Sequence, residues 1–145
     1  MQAIDLSTNQ ALSAEELRAQ GVPYQKLSLD EASYQPALDA LRKAHGYIEQ
    51  DVIELDPETP QLEELLAKFD SEHLHGEDEV RFILRGEGVF DIRSTDDRWM
   101  RVKVEAGDLI IVPKGRYHRF ELTESKTIVA VRLFQNPSGW VPQYR

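Results

Sequence analysis

Residues 72–81 read EHLHGEDEVR. His73 and His75 lie two apart, Glu79 follows four later, and Arg81 comes two beyond that. The chain has only four histidines, so half of them fall in this stretch. Side chains two apart in a strand share a face. His73 and His75 therefore point the same way, and so do Glu79 and Arg81, with residues 75–78 connecting two strands. Two imidazoles and a carboxylate converging on one point are good ligands for a divalent transition metal. Arg81, one strand period past Glu79, should sit beside such a metal and not on it. It would repel the cation unless an anionic ligand lay between them, so the spacing implies an anionic substrate. Alone, H-x-H is often a surface pair or a hydrogen-bonded strand end.

A third histidine decides between these readings. The segment GDLIIVPKGRYH spells G-x5-P-x-G-x2-H and ends at His118. It places an imidazole on another strand, after a turn containing Pro113 and Gly115. The upstream run H-x-H-x3-E-x6-G, from His73 to Gly86, is its companion. The chain has no cysteine, so any metal site must use nitrogen and oxygen. His45 fits neither segment. It falls near the end of an expected helix, where an imidazole favours the C-terminal dipole.

The elements that must position these residues change character along the chain. In LSAEEL, Ser13 and Glu16 can form a capping box, with Leu12 and Leu17 as the hydrophobic staple. Gly21 and Pro23 stop that helix. A second helix is expected from about Pro36 to His45, ended by Gly46. DVIEL, residues 51–55, reads as a short strand, and DPETP as a turn with Pro60 opening a third helix. There Leu62, Leu65, Leu66 and Phe69 form one stripe. After Asp70 the period becomes 2. EVRFILR and VFDIR read as two strands joined by Gly86-Glu87-Gly88. WMRVKVE turns Met100, Val102 and Val104 to one face, and LIIVP, HRFEL and TIVAVRLF follow. Short strands with glycine-rich turns predict a mainly β, antiparallel barrel or sandwich. A few helices from the N-terminal third should pack outside it. We expect one domain over residues 1–145, mostly helical through residue 70, with the β core from 71 onward.

Bulk properties narrow the function. A net charge of −9 repels nucleic acid and anionic membrane. No apolar run approaches the roughly 20 residues needed to span a bilayer. The N-terminus MQAIDLSTNQ lacks the pattern of a secretion signal. A cytoplasmic enzyme or binding protein is expected.

The two histidine segments together resemble the two motifs of the cupin superfamily, small antiparallel β-barrels with metal ligands on the inner wall. One element is missing: the first motif commonly opens with a glycine six residues before its first histidine, where this chain has Ala67. The flanks narrow the resemblance. EHLHGEDEVRFIL, FDIR, P-x-G-x-YHRF, and VRLF followed by W-x-P-x-YR resemble the acireductone dioxygenase family, from about residue 20 onward. The resemblance implies His73, His75, Glu79 and His118 as metal ligands. It implies Arg81 and Arg132 as contacts to an anionic substrate, and Phe69, Phe120 and Trp140 as cavity lining. From the sequence pattern alone, Arg132 inside TIVAVRLF would be a buried ion pair or an edge residue, since an unpaired charge there is costly. Phe120 is in phase with His118, whereas Phe69 and Trp140 would be taken for core packing.

Membership would imply one divalent iron or nickel ion per monomeric chain. The implied reaction cleaves 1,2-dihydroxy-3-keto-5-methylthiopentene with oxygen in methionine salvage. The iron form of the family gives formate and the 2-keto acid precursor of methionine; the nickel form gives carbon monoxide, formate and methylthiopropionate. Four protein ligands leave two octahedral positions, which suits a bidentate enediolate. Two alternatives stay open: another cupin reaction such as an isomerisation, and a non-catalytic small-molecule-binding cupin. Three departures from the family stand out. Lys114 and Arg116 replace apolar residues before YHRF, two cations at the site mouth that are expected to be solvated, the alternative being that they select a more acidic substrate or shift which side chain is accepted. Val89 replaces an aromatic residue, and the sequence stops at Arg145 where members commonly continue.

Overall fold

The computed structural model describes residues 1–136 and 141–145. Among the described residues, ten strands and three helices follow in order: β1 (Gln2–Asp5), α1 (Ala14–Ala19), β2 (Tyr24–Lys26), α2 (Glu31–His45), β3 (Glu49–Leu55), α3 (Leu62–Asp70), β4 (His73–Leu74), β5 (Glu79–Arg93), β6 (Trp99–Glu105), β7 (Asp108–Val112), β8 (His118–Leu122), β9 (Ile128–Phe134) and β10 (Gln143–Tyr144). Every strand pairing among them is antiparallel.

Two sheets share β5. One runs β1-β6-β5-β8-β4-β10, and the other runs β2-β7-β5-β9-β3. The expected antiparallel cupin-type architecture is present, although the pairings do not close into a ring. The expected hairpin at Gly86-Glu87-Gly88 does not exist. Residues 79–93 are one strand of 15 residues. Its first part pairs with β7 and β9, its second with β6 and β8. A bulge between Ile83 and Arg85 shifts the register against β9. Before the bulge, odd-numbered residues face the space between the sheets; after it, Phe90 and Ile92 do. One extra residue flips every later side chain to the other face. That parity change is what makes one strand look like two in the sequence.

The N-terminal third also holds more strand than its sequence suggests. Besides β3, it supplies β1, paired with β6, and β2, paired with β7. These strands are too short for their alternation to stand out. Helix α2 begins at Glu31, not Pro36. Tyr34 packs its ring 5.0 Å from Phe82, and this tertiary contact carries the helix back past the proline. Gly46 ends it in the left-handed conformation, as expected. Pro60 lies outside α3, because Gln61 holds the cap position at φ 57°. The capping box at Ser13 and Glu16 is present, and Leu17 is fully buried.

Apolar residues divide into two layers. Between the sheets lie Ile83, Phe90, Ile92, Met100, Val102, Val104, Ile110 and Val112, closed off by Leu17 of α1 and Leu62 and Leu66 of α3. On the far side of the second sheet, Val80, Phe82, Leu109, Ile111, Val131 and Leu133 pack under Leu38 of α2. Strand β7 is therefore buried on both faces, which explains its unbroken run LIIV.

The first sheet carries a buried charge on its outer side. Asp91 accepts hydrogen bonds from Arg101 at 2.8 and 2.9 Å and from Arg119 at 2.9 Å. Burial pushes its carboxyl up, but the two guanidiniums outweigh that and hold it below the usual range. A folded-state pKa below the unfolded value stabilises at pH above the unfolded value; the gain is lost as pH falls through the folded one. Asp91→Asn should therefore cost about 2 kcal/mol at pH 7, a figure reduced for the partly exposed arginines. Urea unfolding at pH 7 and at successively lower pH checks this. The gap to wild type should shrink steadily below about pH 4, and a gap independent of pH would rule the explanation out.

Candidate metal centre

Three imidazoles meet between the sheets. Register places His73 of β4 directly opposite His118 of β8, with ring centroids 4.5 Å apart. His75, just past β4, lies 4.9 Å from His73 and 5.3 Å from His118 by ring centroid. One ring nitrogen from each of the three falls within 4.8 Å of the others. Glu79, the first residue of β5, joins them. Its Oε1 is 3.7 Å from His75 Nε2, and its Oε2 is 3.4 Å from His118 Nε2. The structure thus brings together the four residues singled out in the sequence.

The ring orientations suit a metal. Nδ1 of His73 lies 2.6 Å from the carbonyl of Ser71, and Nδ1 of His118 lies 3.0 Å from that of Arg116. With the proton on Nδ1 donated to the carbonyl, the Nε2 lone pair is left facing inward. His118 Nε2 is buried without an aligned hydrogen-bond partner among the described residues, and so is His75 Nδ1. A buried imidazole nitrogen with no partner is costly unless something ligates it. Three imidazoles and one carboxylate form a set suited to iron, nickel or zinc more than to magnesium or calcium. The donor set and its two unpartnered nitrogens fit a divalent transition metal.

The electrostatics favour the ligating forms of His73, His75 and Glu79. Burial pushes the His75 imidazolium down to about 4, and that of His73 down as well. Burial alone would raise the Glu79 carboxyl, but Arg81 and His118 hold it well below the usual carboxylate range. For His118, burial pulls downward, yet Glu79 and the Arg116 carbonyl raise it overall.

The connection HGED is held from several sides. Gly115 donates its N–H to the His75 carbonyl at 2.9 Å. Asp78 accepts from Tyr47 Oη at 2.7 Å and from the Lys114 N–H at 2.8 Å. Glu77 is buried and accepts from the N–H groups of Gln135 and Asn136. Of three consecutive acids, one faces the imidazoles and two brace the loop. Strand parity separates Asp78 from Glu79, but Glu77 shares the parity of Glu79, and only the H-x-H-x3-E spacing set Glu79 apart.

A cavity of about 290 Å³ opens from the imidazoles. Its wall on the second sheet is graded in polarity. By strand register, Glu79 comes first, then Arg81 and Arg132, then Ile53, Ile83 and Ala130, and last Leu55 and Ile128. Opposite stand Phe69, Phe90 and Phe120, with Phe120 4.8 Å from Phe90 and 6.3 Å from Phe69 by ring centroid. Tyr144 of β10 also lines the cavity. Phe69 and Phe120, which the family resemblance implied as cavity lining, both border this cavity; Trp140 lies outside the described residues. Phe90, Ile53 and Tyr144 were missed. Phe90 could have been found by parity had the bulge been recognised.

The two cations of the first departure sit differently. Lys114 is exposed. Arg116 is not a solvated cation at the mouth, because its Nη1 donates to the carbonyls of Gln20 at 2.7 Å and Arg93 at 3.1 Å. Its side chain ties the end of α1 to β5, beside the carbonyl that His118 uses.

Two sheets sharing a bent strand, with three histidines and a glutamate on the inner wall, define a metal-binding protein of the cupin type. The chain belongs to the ARD/ARD' family, whose model matches residues 2–142. An acireductone dioxygenase of Heterostelium pallidum is 42% identical over 98% of this chain and 96% of its own length. One of Gallus gallus is 41% identical over 97% of this chain and 78% of its own length. Among solved structures, the acireductone dioxygenase from Bacillus anthracis with a cadmium ion in its active centre superposes with a TM-score of 0.92 at 33% identity. That match covers 99% of this chain and 97% of the other.

Proposed function

We propose that this protein is an acireductone dioxygenase of methionine salvage, with His73, His75, Glu79 and His118 holding one iron(II) or nickel(II) ion. The observation that carries the reading is the graded cavity: four ligand side chains at one end, two guanidiniums beside them, and an apolar pouch beyond. When bound, the metal would keep the enediol deprotonated and offer it two coordination positions. Arg81 and Arg132 offset the negative charge of the substrate. Ile53, Leu55, Ala130 and Ile128 take its uncharged methylthio tail. Phe69, Phe90 and Phe120 exclude water from the opposite side. The cavity sits at the small end of ligand sites, which run from roughly 300 to 1,000 Å³, and so suits a small linear substrate. Which metal is loaded decides the products. The donor set accepts either, with affinity favouring nickel and availability able to favour iron. No helix among the described residues is long and apolar enough to cross a membrane. The reading takes the enzyme to be a cytoplasmic monomer.

Anaerobic reconstitution with iron(II) or nickel(II), followed by acireductone and oxygen, tests this. Rapid oxygen consumption with both metals is expected, with carbon monoxide formed only in the nickel form. Substrate binding without oxygen consumption would refute the dioxygenase and favour the isomerase or binding-protein alternative.

Arg81 separates substrate binding from metal binding. Its Nη2 lies 3.1 Å from Glu79 Oε1, so it competes with a metal for that carboxylate. Arg81→Ala should leave metal content intact while lowering kcat/KM by roughly 10- to 100-fold, the worth of a buried charge-assisted hydrogen bond. Metal analysis alongside steady-state kinetics reads both. A loss of metal equal to that in a ligand variant would mean that Arg81 supports the metal and not the substrate.

A further inference from the structure

Four charged side chains form a row across the second sheet. Register sets Asp51 of β3 opposite Arg132 of β9, and Arg132 opposite Arg81 of β5. Directly opposed residues project from the same face of a sheet. Glu79 stands one strand period before Arg81 and within 3.1 Å of it. The row therefore reads carboxylate, guanidinium, guanidinium, carboxylate. Like charges opposed across a sheet repel, and the repulsion grows as water is excluded. Here the Arg81 side chain is 14% exposed and that of Arg132 is 22% exposed.

Asp51 offsets the repulsion at the outer end. Nε of Arg132 donates to its Oδ1 at 2.7 Å, and Nη2 donates to its Oδ2 at 2.6 Å. Two parallel bonds fix both the plane and the direction of a guanidinium. The hydrogen bonds from Arg132 keep the Asp51 carboxyl below the usual range, so the clamp is charged at neutral pH. Asp51 does not itself line the cavity, and its side chain is 40% exposed. It has the placement of a residue that acts through another.

We infer that Asp51 is a positioning residue, clamping Arg132 against the cavity wall so that Arg132 and Arg81 together receive one substrate anion. The clamp rests on the geometry above; the identity of the anion rests on the acireductone reading. A guanidinium already held in place loses less freedom when the substrate arrives, so the clamp should act on substrate affinity more than on turnover. An ion pair that only stabilises the fold would not touch KM.

The test compares iron-loaded wild type with Asp51→Ala, Asp51→Glu, Arg132→Ala and the double variant D51A/R132A. Asp51→Ala should raise KM for acireductone roughly tenfold, about the effect of one lost charge-assisted hydrogen bond. Its kcat should stay within about twofold, with metal content unchanged. Asp51→Glu should recover part of the loss. In the Arg132→Ala background, removing Asp51 should add nothing to KM. In the metal-free protein, the Arg132 Nε–H resonance should exchange slowly with solvent in wild type and fast in Asp51→Ala. An unchanged KM, additive effects of the two substitutions, or a fall in thermal stability alone would overturn the inference. If the wild type fails to turn over acireductone, the substrate reading fails. The Nε–H exchange then decides the clamp: unchanged exchange in Asp51→Ala overturns it, and accelerated exchange upholds it.

Discussion

Glu79→Ala should strip the protein of its metal. Glu79 is the one anion among four donors, and its side chain is only 12% exposed. Without it, a dication would meet three neutral imidazoles and, close by, an Arg81 that has lost its counter-charge. Even partners of metal ligands commonly account for 10- to 100-fold in affinity, so losing the sole anionic ligand should weaken binding by at least about 100-fold. Glu79→Gln keeps the volume and removes the charge, and it should lose nearly as much. Metal analysis after dialysis, with circular dichroism to confirm folding, gives the readout. Turnover should fall with metal content in both variants. A folded Glu79→Ala protein that keeps its metal and its activity would sink the ligand assignment.

Gly86→Ala should be the most damaging small substitution away from the ligands. Gly86 has φ +80°, where any side chain is strained. A Cβ there would lie 2.1 Å from the Thr127 carbonyl oxygen and 2.7 Å from its carbon. That oxygen is backbone, and it already accepts the N–H of Glu87 at 3.1 Å, so it cannot retreat without losing a ladder bond. The strain and the overlap together should cost about 3–5 kcal/mol. For a chain of this length, the melting temperature should drop by roughly 10 °C or more. Gly115 supplies the control. Its φ is +74°, but nothing lies within 4 Å of an added Cβ, so Gly115→Ala should cost only about 1 kcal/mol. Equal losses in the two variants would show that conformation, and not the approach of β9, requires glycine at 86.

The proposed ligand set was legible because three of its members lie within seven residues and strand parity aligns them. The fourth came from a separate spacing pattern ending at His118. Parity failed only at the bulge, where Leu84 is inserted and the inward side changes from odd to even numbers. That one event hid both the continuity of β5 and the place of Phe90 in the cavity. Asp51 was invisible for another reason. It sits in DVIEL among other acids, and only its register opposite Arg132 sets it apart. The choice that the sequence left open for Arg132, buried ion pair or edge residue, falls to the ion pair, and Arg132 also faces the cavity. Arg116 looked like a surface cation because nothing local reveals that the carbonyls of Gln20 and Arg93 converge on it.

Strand β5 has neighbours on both sides through each of its halves, β7 and β9 before the bend and β6 and β8 after it. Such a strand cannot fray. Its amide protons should be released to solvent only when the whole molecule opens, at the full free energy of unfolding. The chain has put Glu79 and Arg81, the proposed carboxylate ligand and substrate-facing guanidinium, at the start of this strand. Local breathing of the molecule therefore leaves the spacing between Glu79 and Arg81 unchanged, and the enzyme holds its reaction geometry for as long as it remains folded.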